Sequence, residues 1–243
     1  MSGYFEVASA NGAFARAPGV GHDGSWGMRA RFGAGTVNAG SLKLAFGRTP
    51  QPYFRPVDGG TATYRGLYWR MYLRNAPGWT GGGGDKLSRL TIFSSPTTWA
   101  QAMIAHVWSG GRAPGWNHLV IDPASGTDAL GAVVTTTYND FANLRWLGSA
   151  RSVTPLYDAV HVGTWHCIET HVRLNEGRLA NGVFELWING NLEARRTGLD
   201  WVGDYAGYGL NALFLENFWN DGSPVAQERF LDRLVVSTQP IGC

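Results

Sequence analysis

Residues 66–74 read GLYWRMYLR, with Leu67, Trp69, Met71 and Leu73 on every second position and Tyr68, Arg70, Tyr72 and Arg74 between them. Side chains of a strand alternate between the two faces of its sheet, so this period of two predicts a half-buried strand with an apolar side and a side of phenols and guanidiniums. Comparable runs recur along the chain between Gly, Pro, Asn and Asp: GMRARFG, SLKLAFGR, LSRLTIFSS, AQAMIAHVWS, WNHLVIDP, AVVTTTYND, WHCIETHVRLN, GVFELWINGN, LEARRTG, LNALFLENFWN and RFLDRLVVST. About a dozen strands exceed what one open sheet holds comfortably. The economical arrangement is an all-β, two-sheet antiparallel sandwich with apolar faces inward. Within it FELWINGNLEARR predicts a hairpin, because Asn189 and Gly190 accept the positive φ angles of a type I′ turn. Only SPVAQER suggests a short helical turn.

The 243 residues suit one domain spanning 1–243, large enough to bury a core without metal or disulfide. With 34 glycines, 11 tryptophans and 16% charged residues, the composition is that of a turn-rich folded chain. A formal charge of +2 and the absence of basic blocks argue against a nucleic-acid or anionic-membrane partner. No run approaches the roughly 20 apolar residues of a membrane helix. The opening MSGYFEVASANG lacks the basic and apolar regions of a signal peptide. The chain then stays in the cell that makes it, or has had a leader trimmed, or leaves by lysis as part of a virion; the expected location is extracellular or on a virion surface. Cys167 and Cys243 leave two possibilities open, a bridge tying the tail to the sheet or two unpaired thiols; the unpaired state is the expectation.

Motifs of common chemistry are missing: there is no GxSxG elbow, HExxH, CxxC pair or EF-hand loop. GGGGDKL lacks the Gly-Lys-Ser/Thr ending of a phosphate loop and is expected to be a mobile surface loop. His166 and His171 are five residues apart, which puts them on opposite faces of one strand and argues against a shared metal. Asp200, Asp204 and Asp221 could ligate calcium, although their spacing specifies nothing. The expected cofactor set is none.

RGLYWRMYLRNAPGW, followed by a glycine loop and DKLSRL, resembles the opening strands of the concanavalin A-like jelly-roll polysaccharide lyases of the alginate and glucuronan type. The later run GTWHCIETHVRLN…NGVFELWINGNLEARRTGL…FLENFWNDG…FLDRLVVSTQPIGC is similar to the back half of laminin-G-like and lyase-like jelly rolls. Taken at its strongest, the resemblance implies β-elimination on a uronate polymer. That reaction needs a cation on the sugar carboxylate, a base for the neighbouring C–H and an acid for the leaving oxygen. Lys86 then matches the family's lysine, Arg70 or Arg89 could bind the carboxylate, and Tyr72 or His106 could move protons. The chain departs from the family where a Tyr-x-Tyr pair is usual: MIAHVW and NHLVIDP supply His106, Trp108 and His118 instead.

Glycan binding without cleavage asks less of the same residues, since a saccharide groove needs aromatic platforms beside hydrogen-bonding and charged groups. Tyr68, Arg70, Tyr72, Arg89, Trp108, Glu169, His171 and Arg173 have that composition. The expectation is therefore a jelly roll whose curved sheet binds a polysaccharide or cell-surface glycan, with lyase action as an alternative. A third reading is a virion decoration or fibre-head subunit, whose strand edges meet other copies or virion partners.

Overall fold

The computed structural model describes residues 3–81, 83–111 and 117–243; Gly82 of the glycine run and Trp116 at the head of WNHLVIDP lie outside them. Two antiparallel sheets stack face to face. One has the strand order β1 (Tyr4–Ala8), β4 (Asn38–Ala45), β14 (Ala212–Trp219), β6 (Asp85–Phe93), β7 (Gln101–Trp108), β8 (Val120–Ser125), β10 (Ala150–Arg151), with β9 (Arg145–Trp146) also on β8. The other runs β13 (Asn191–Leu199), β12 (Gly182–Ile188), β11 (His166–Arg173), β5 (Gly66–Asn75), β15 (Gln227–Ser237), β3 (Gly27–Phe32), β2 (Phe14–Ala17). About half of the neighbours in these orders are distant in sequence, as in a jelly roll.

The alternation read at 66–74 is realised. Leu67, Trp69, Met71 and Leu73 are buried in the core between the sheets, with Leu87, Leu90, Leu213 and Leu215 opposite. Asn189 and Gly190 take φ of 52° and 82° at the β12–β13 turn, the handedness a tight hairpin requires. AVVTTTYND, expected as a strand, is instead part of a loop between β8 and β9, pinned by Asp140 accepting from Thr136 and Asn143. SPVAQER forms no helix; its last residues already pair in β15. A 3₁₀ turn forms at Pro52–Phe54. Gly83 and Gly84, expected on a mobile surface loop, are buried, and a Cβ on Gly84 would lie 2.7 Å from Asn220.

One charged pair spans the two sheets. Arg229 of β15 is fully buried and forks onto the Asp85 carboxylate of β6, with Nε donating to Asn75 Oδ1 (3.1 Å) and Nη1 to the Lys86 carbonyl (3.3 Å). Its guanidinium lies 4.9 Å from the ring of Trp79. Cys167 and Cys243 form a disulfide with Cα atoms 5.9 Å apart, which corrects the expectation of two free thiols. The bridge, over a sequence separation of 76, brings the tail onto β11, the alternative that the two cysteines had left open.

Candidate functional site

The structure divides the sequence-derived site residues between the two outward faces of the sandwich. Tyr68, Arg70 and Tyr72 of β5 and Glu169, His171 and Arg173 of β11 lie on the seven-stranded sheet, in register as Arg70–Glu169 and Tyr68–His171. Most of their polar groups are already answered within the chain. The Tyr68 and His171 rings stack at 4.1 Å, His171 Nδ1 is 2.8 Å from Glu185, and Arg173 donates to the Asn181 carbonyl. The tail answers two more: Tyr72 donates its hydroxyl proton to the Cys243 carbonyl (2.9 Å), and Glu169 accepts the backbone N–H groups of Ile241 and Gly242 (2.8 Å each), while Arg70 lies 5.2 Å from the Tyr72 ring with its Nε unpartnered. Tyr72 is 7% exposed. The face expected to floor a groove is covered by the tail at Tyr72 and Glu169, and neither Arg70 nor Tyr72 lines the hollows that Lys86 lines.

Lys86, Arg89, His106 and Trp108 do come together, on the outer face of the eight-stranded sheet. Residues 86 and 89 are three apart and would ordinarily point to opposite sides of a strand. A bulge reverses this: pairing with β7 slips between Lys86 and Ser88, so that Leu87 and Ser88 both serve the core, Ser88 accepting from Trp69 Nε1 at 3.1 Å. Strand pairing then sets Lys43, Phe214, Arg89, His106 and Asp122 side by side across five strands, with Phe218, Lys86 and Trp108 in the adjacent row. The loop between β8 and β9 arches over this floor and contributes Tyr138, Asn139 and Phe141, and β9 contributes Trp146.

Two hollows of about 200 and 190 Å³ remain, separated by Lys86 and Arg89. The first adds Ser41, Lys43, Tyr138, Asn139 and Glu216 to the shared pair; the second adds Ile104, His106, Trp108, Phe141 and Trp146. Arg89 is committed: it holds Glu216 through Nη2 and Nε (2.9 and 3.3 Å) and donates to Asn139 Oδ1. Lys43 is paired with Glu6 and lies over the Trp99 ring. Lys86 is the exception. Its ammonium lies 4.5 Å from the Phe218 ring and, among the described residues, has neither a hydrogen bond nor an ion pair.

Burial governs the electrostatics of this floor. It lowers the Lys86 pKa, with Glu216 opposing and Arg89 reinforcing the shift. Burial, then the charges of Arg89 and Lys86, push His106 well below the ordinary histidine range. His106 is therefore a neutral ring, stacked on Trp108 at 5.2 Å, and its 3.7 Å approach to Glu216 is no ion pair. Burial also raises the Tyr138 phenol, keeping it protonated, and lifts Asp122 to about 6. Tyr138 and Asp122 were missed by sequence reading; the first stands on a loop that reads as a strand, and the second becomes a neighbour of His106 only through strand register.

Among the described residues no three His, Cys, Asp or Glu side chains are grouped to hold a metal ion. Asp200 and Asp204, considered for calcium, pair with Arg145 and Arg178.

A two-sheet jelly roll with a polar cleft on one outward face is the concanavalin A-like architecture. Solved structures with the same fold include the endo-beta-1,4-glucuronan lyase of the fungus Trichoderma reesei (12% identity, TM-score 0.65, 98% of this chain and 92% of that one). The marine PL-14 alginate lyase of Aplysia kurodai is similar at 11% identity and TM-score 0.62, over 96% of this chain and 90% of that one. Alginate lyase vAL-1 from Chlorella virus follows at 10% identity and TM-score 0.60, over 96% and 98%. No protein-family model and no curated protein matches the sequence. At such identities the likeness establishes the fold.

Proposed function

We propose that the cleft on the eight-stranded sheet binds an acidic polysaccharide, with the ammonium of Lys86 receiving a uronate carboxylate. The observation that carries this reading is the unanswered, buried lysine at the wall between two hollows, on a floor where the other cations are already paired. A buried cation without a partner is costly, and a ligand carboxylate removes that cost. Asn139, whose Oδ1 is held by Arg89, and Tyr138 line the same hollow and bring an amide and a hydroxyl to it. The fold shared with polysaccharide lyases supports the same class of ligand, and the disulfide suits an oxidising compartment where such polymers are met. The virion reading receives no support from these comparisons.

Cleavage by β-elimination is the second reading. It is favoured by the lowered pKa of Lys86, which moves it toward a free amine able to take the sugar C5 proton, beside a phenol able to protonate the leaving oxygen. Yet the two duties compete: a neutral Lys86 cannot also neutralise the carboxylate, and Arg89 is bound to Glu216. Binding is the simpler use of this geometry.

The test pairs retention on immobilised alginate, glucuronan and hyaluronan with the ultraviolet absorbance of unsaturated uronate ends. Binding that disappears in Lys86→Ala without any rise in absorbance supports recognition alone. A rise that Tyr138→Phe abolishes supports cleavage. Absence of Lys86-dependent retention on every acidic polymer overturns the proposal.

A further inference from the structure

The two hollows differ in chemistry, and that difference specifies the ligand further. Lys86 stands on the wall that they share, and the Phe218 ring beside its ammonium lines the hollow of Lys43, Tyr138 and Asn139 and not the other. The second hollow is aromatic. Trp108 and His106 stack on its floor, and Phe141 and Trp146, about half exposed, stack at its rim with centroids 6.3 Å apart and planes 20° apart.

A carboxylate in the aromatic hollow would have to share Lys86 with one in the first hollow: Arg89 is neutralised by Glu216, and His106 is uncharged there. Asp122 stands on the strand beside His106 and repels an anion once ionised. Trp108 on its floor has a buried indole Nε1 without a partner. Such an atom is costly to leave unmatched and is satisfied by a hydroxyl or an amide. Flat rings at the rim suit the apolar face of an uncharged pyranose.

We infer that the cleft is selective for a mixed polymer in which a uronate neighbours an uncharged sugar, the uronate at Lys86 and the uncharged ring on Phe141 and Trp146. This rests on the acidic-polysaccharide reading and narrows it: a uniform polyuronate would set two adjacent carboxylates against one ammonium.

The experiment measures affinity by calorimetry for hyaluronan and unsulfated chondroitin, which alternate uronate with N-acetylhexosamine, and for polymannuronate, with intact protein and the Lys86→Ala and Trp146→Ala variants. Trp146 is at the surface, so its truncation leaves the core untouched. The expected result is a preference of about tenfold or more for an alternating polymer over polymannuronate, falling toward unity in Trp146→Ala. Equal or tighter binding of polymannuronate, or a preference that Trp146→Ala leaves intact, overturns the inference while Lys86-dependent binding keeps the broader reading. Loss of Lys86 dependence with every polymer overturns both.

Discussion

The two outward faces of this sandwich carry the same kinds of side chain, tyrosine, arginine, histidine and glutamate, and differ in what lies over them. On the seven-stranded sheet the tail folds down and its backbone answers Glu169 and Tyr72, while Glu185 answers His171. On the eight-stranded sheet a loop arches without touching down everywhere, and two hollows and one lysine are left open. A polar inventory is thus a weak guide to a binding face. Unmatched charge beside accessible volume is a better one, because a ligand can only gain where the protein has not already satisfied itself.

The largest test of this contrast releases the tail. Cys243→Ser should cost about 3–4 kcal/mol of stability in urea unfolding, as expected for a cross-link closing a long loop, with polysaccharide retention unchanged because the tail lies on the far face. Retention that falls with the bridge would mean the two faces are coupled. Next, Lys86→Ala should weaken binding by about 2–3 kcal/mol, roughly a hundredfold, whereas Arg70→Ala on the other face should stay within about twofold in the same calorimetric titration.

Acidity sharpens the comparison further. Asp122 has its pKa raised to about 6, so the folded state holds its proton more tightly than the unfolded chain. That contribution is complete at low pH and is lost as pH rises from about 4 through 6. Asp122→Asn should therefore stabilise the protein at pH 7 by about 1–3 kcal/mol and have little effect below pH 4, read from urea midpoints across pH. His106 slopes the other way: its depressed pKa favours folding above the ordinary histidine range and loses that contribution as pH falls. The smallest effect is expected for Glu169→Gln, which keeps the shape but weakens two charge-assisted bonds to the tail, at about 1 kcal/mol with no change in binding.

Much of the architecture was legible because alternation is a local property. GLYWRMYLR displays its buried side directly, and Asn189-Gly190 names its own turn. The location of the cleft was not legible, for reasons that are also physical. The β6 bulge turns Lys86 and Arg89 to one side, and no residue between them advertises the extra step. The tail reaches β11 across 76 residues, so a face that reads as wet is covered by chain remote in sequence. AVVTTTYND has the β-branched content of a strand, yet with Thr136 and Asn143 tied to Asp140 it becomes the loop that brings Tyr138 and Asn139 over the floor. Lys86, Arg89, His106 and Trp108 were singled out individually; their assembly depended on register.

The clamp of Arg229 on Asp85 has a practical consequence for anyone wishing to retune this protein. Asp85 immediately precedes Lys86, and the same guanidinium also holds the Lys86 carbonyl, so the anchor lysine is bolted to the opposite layer through a pair whose rupture would cost about 3–5 kcal/mol. Engineering of ligand preference should leave that bolt alone and work on the arch from residue 127 to 149, where exposed rings can be exchanged without loosening the body beneath.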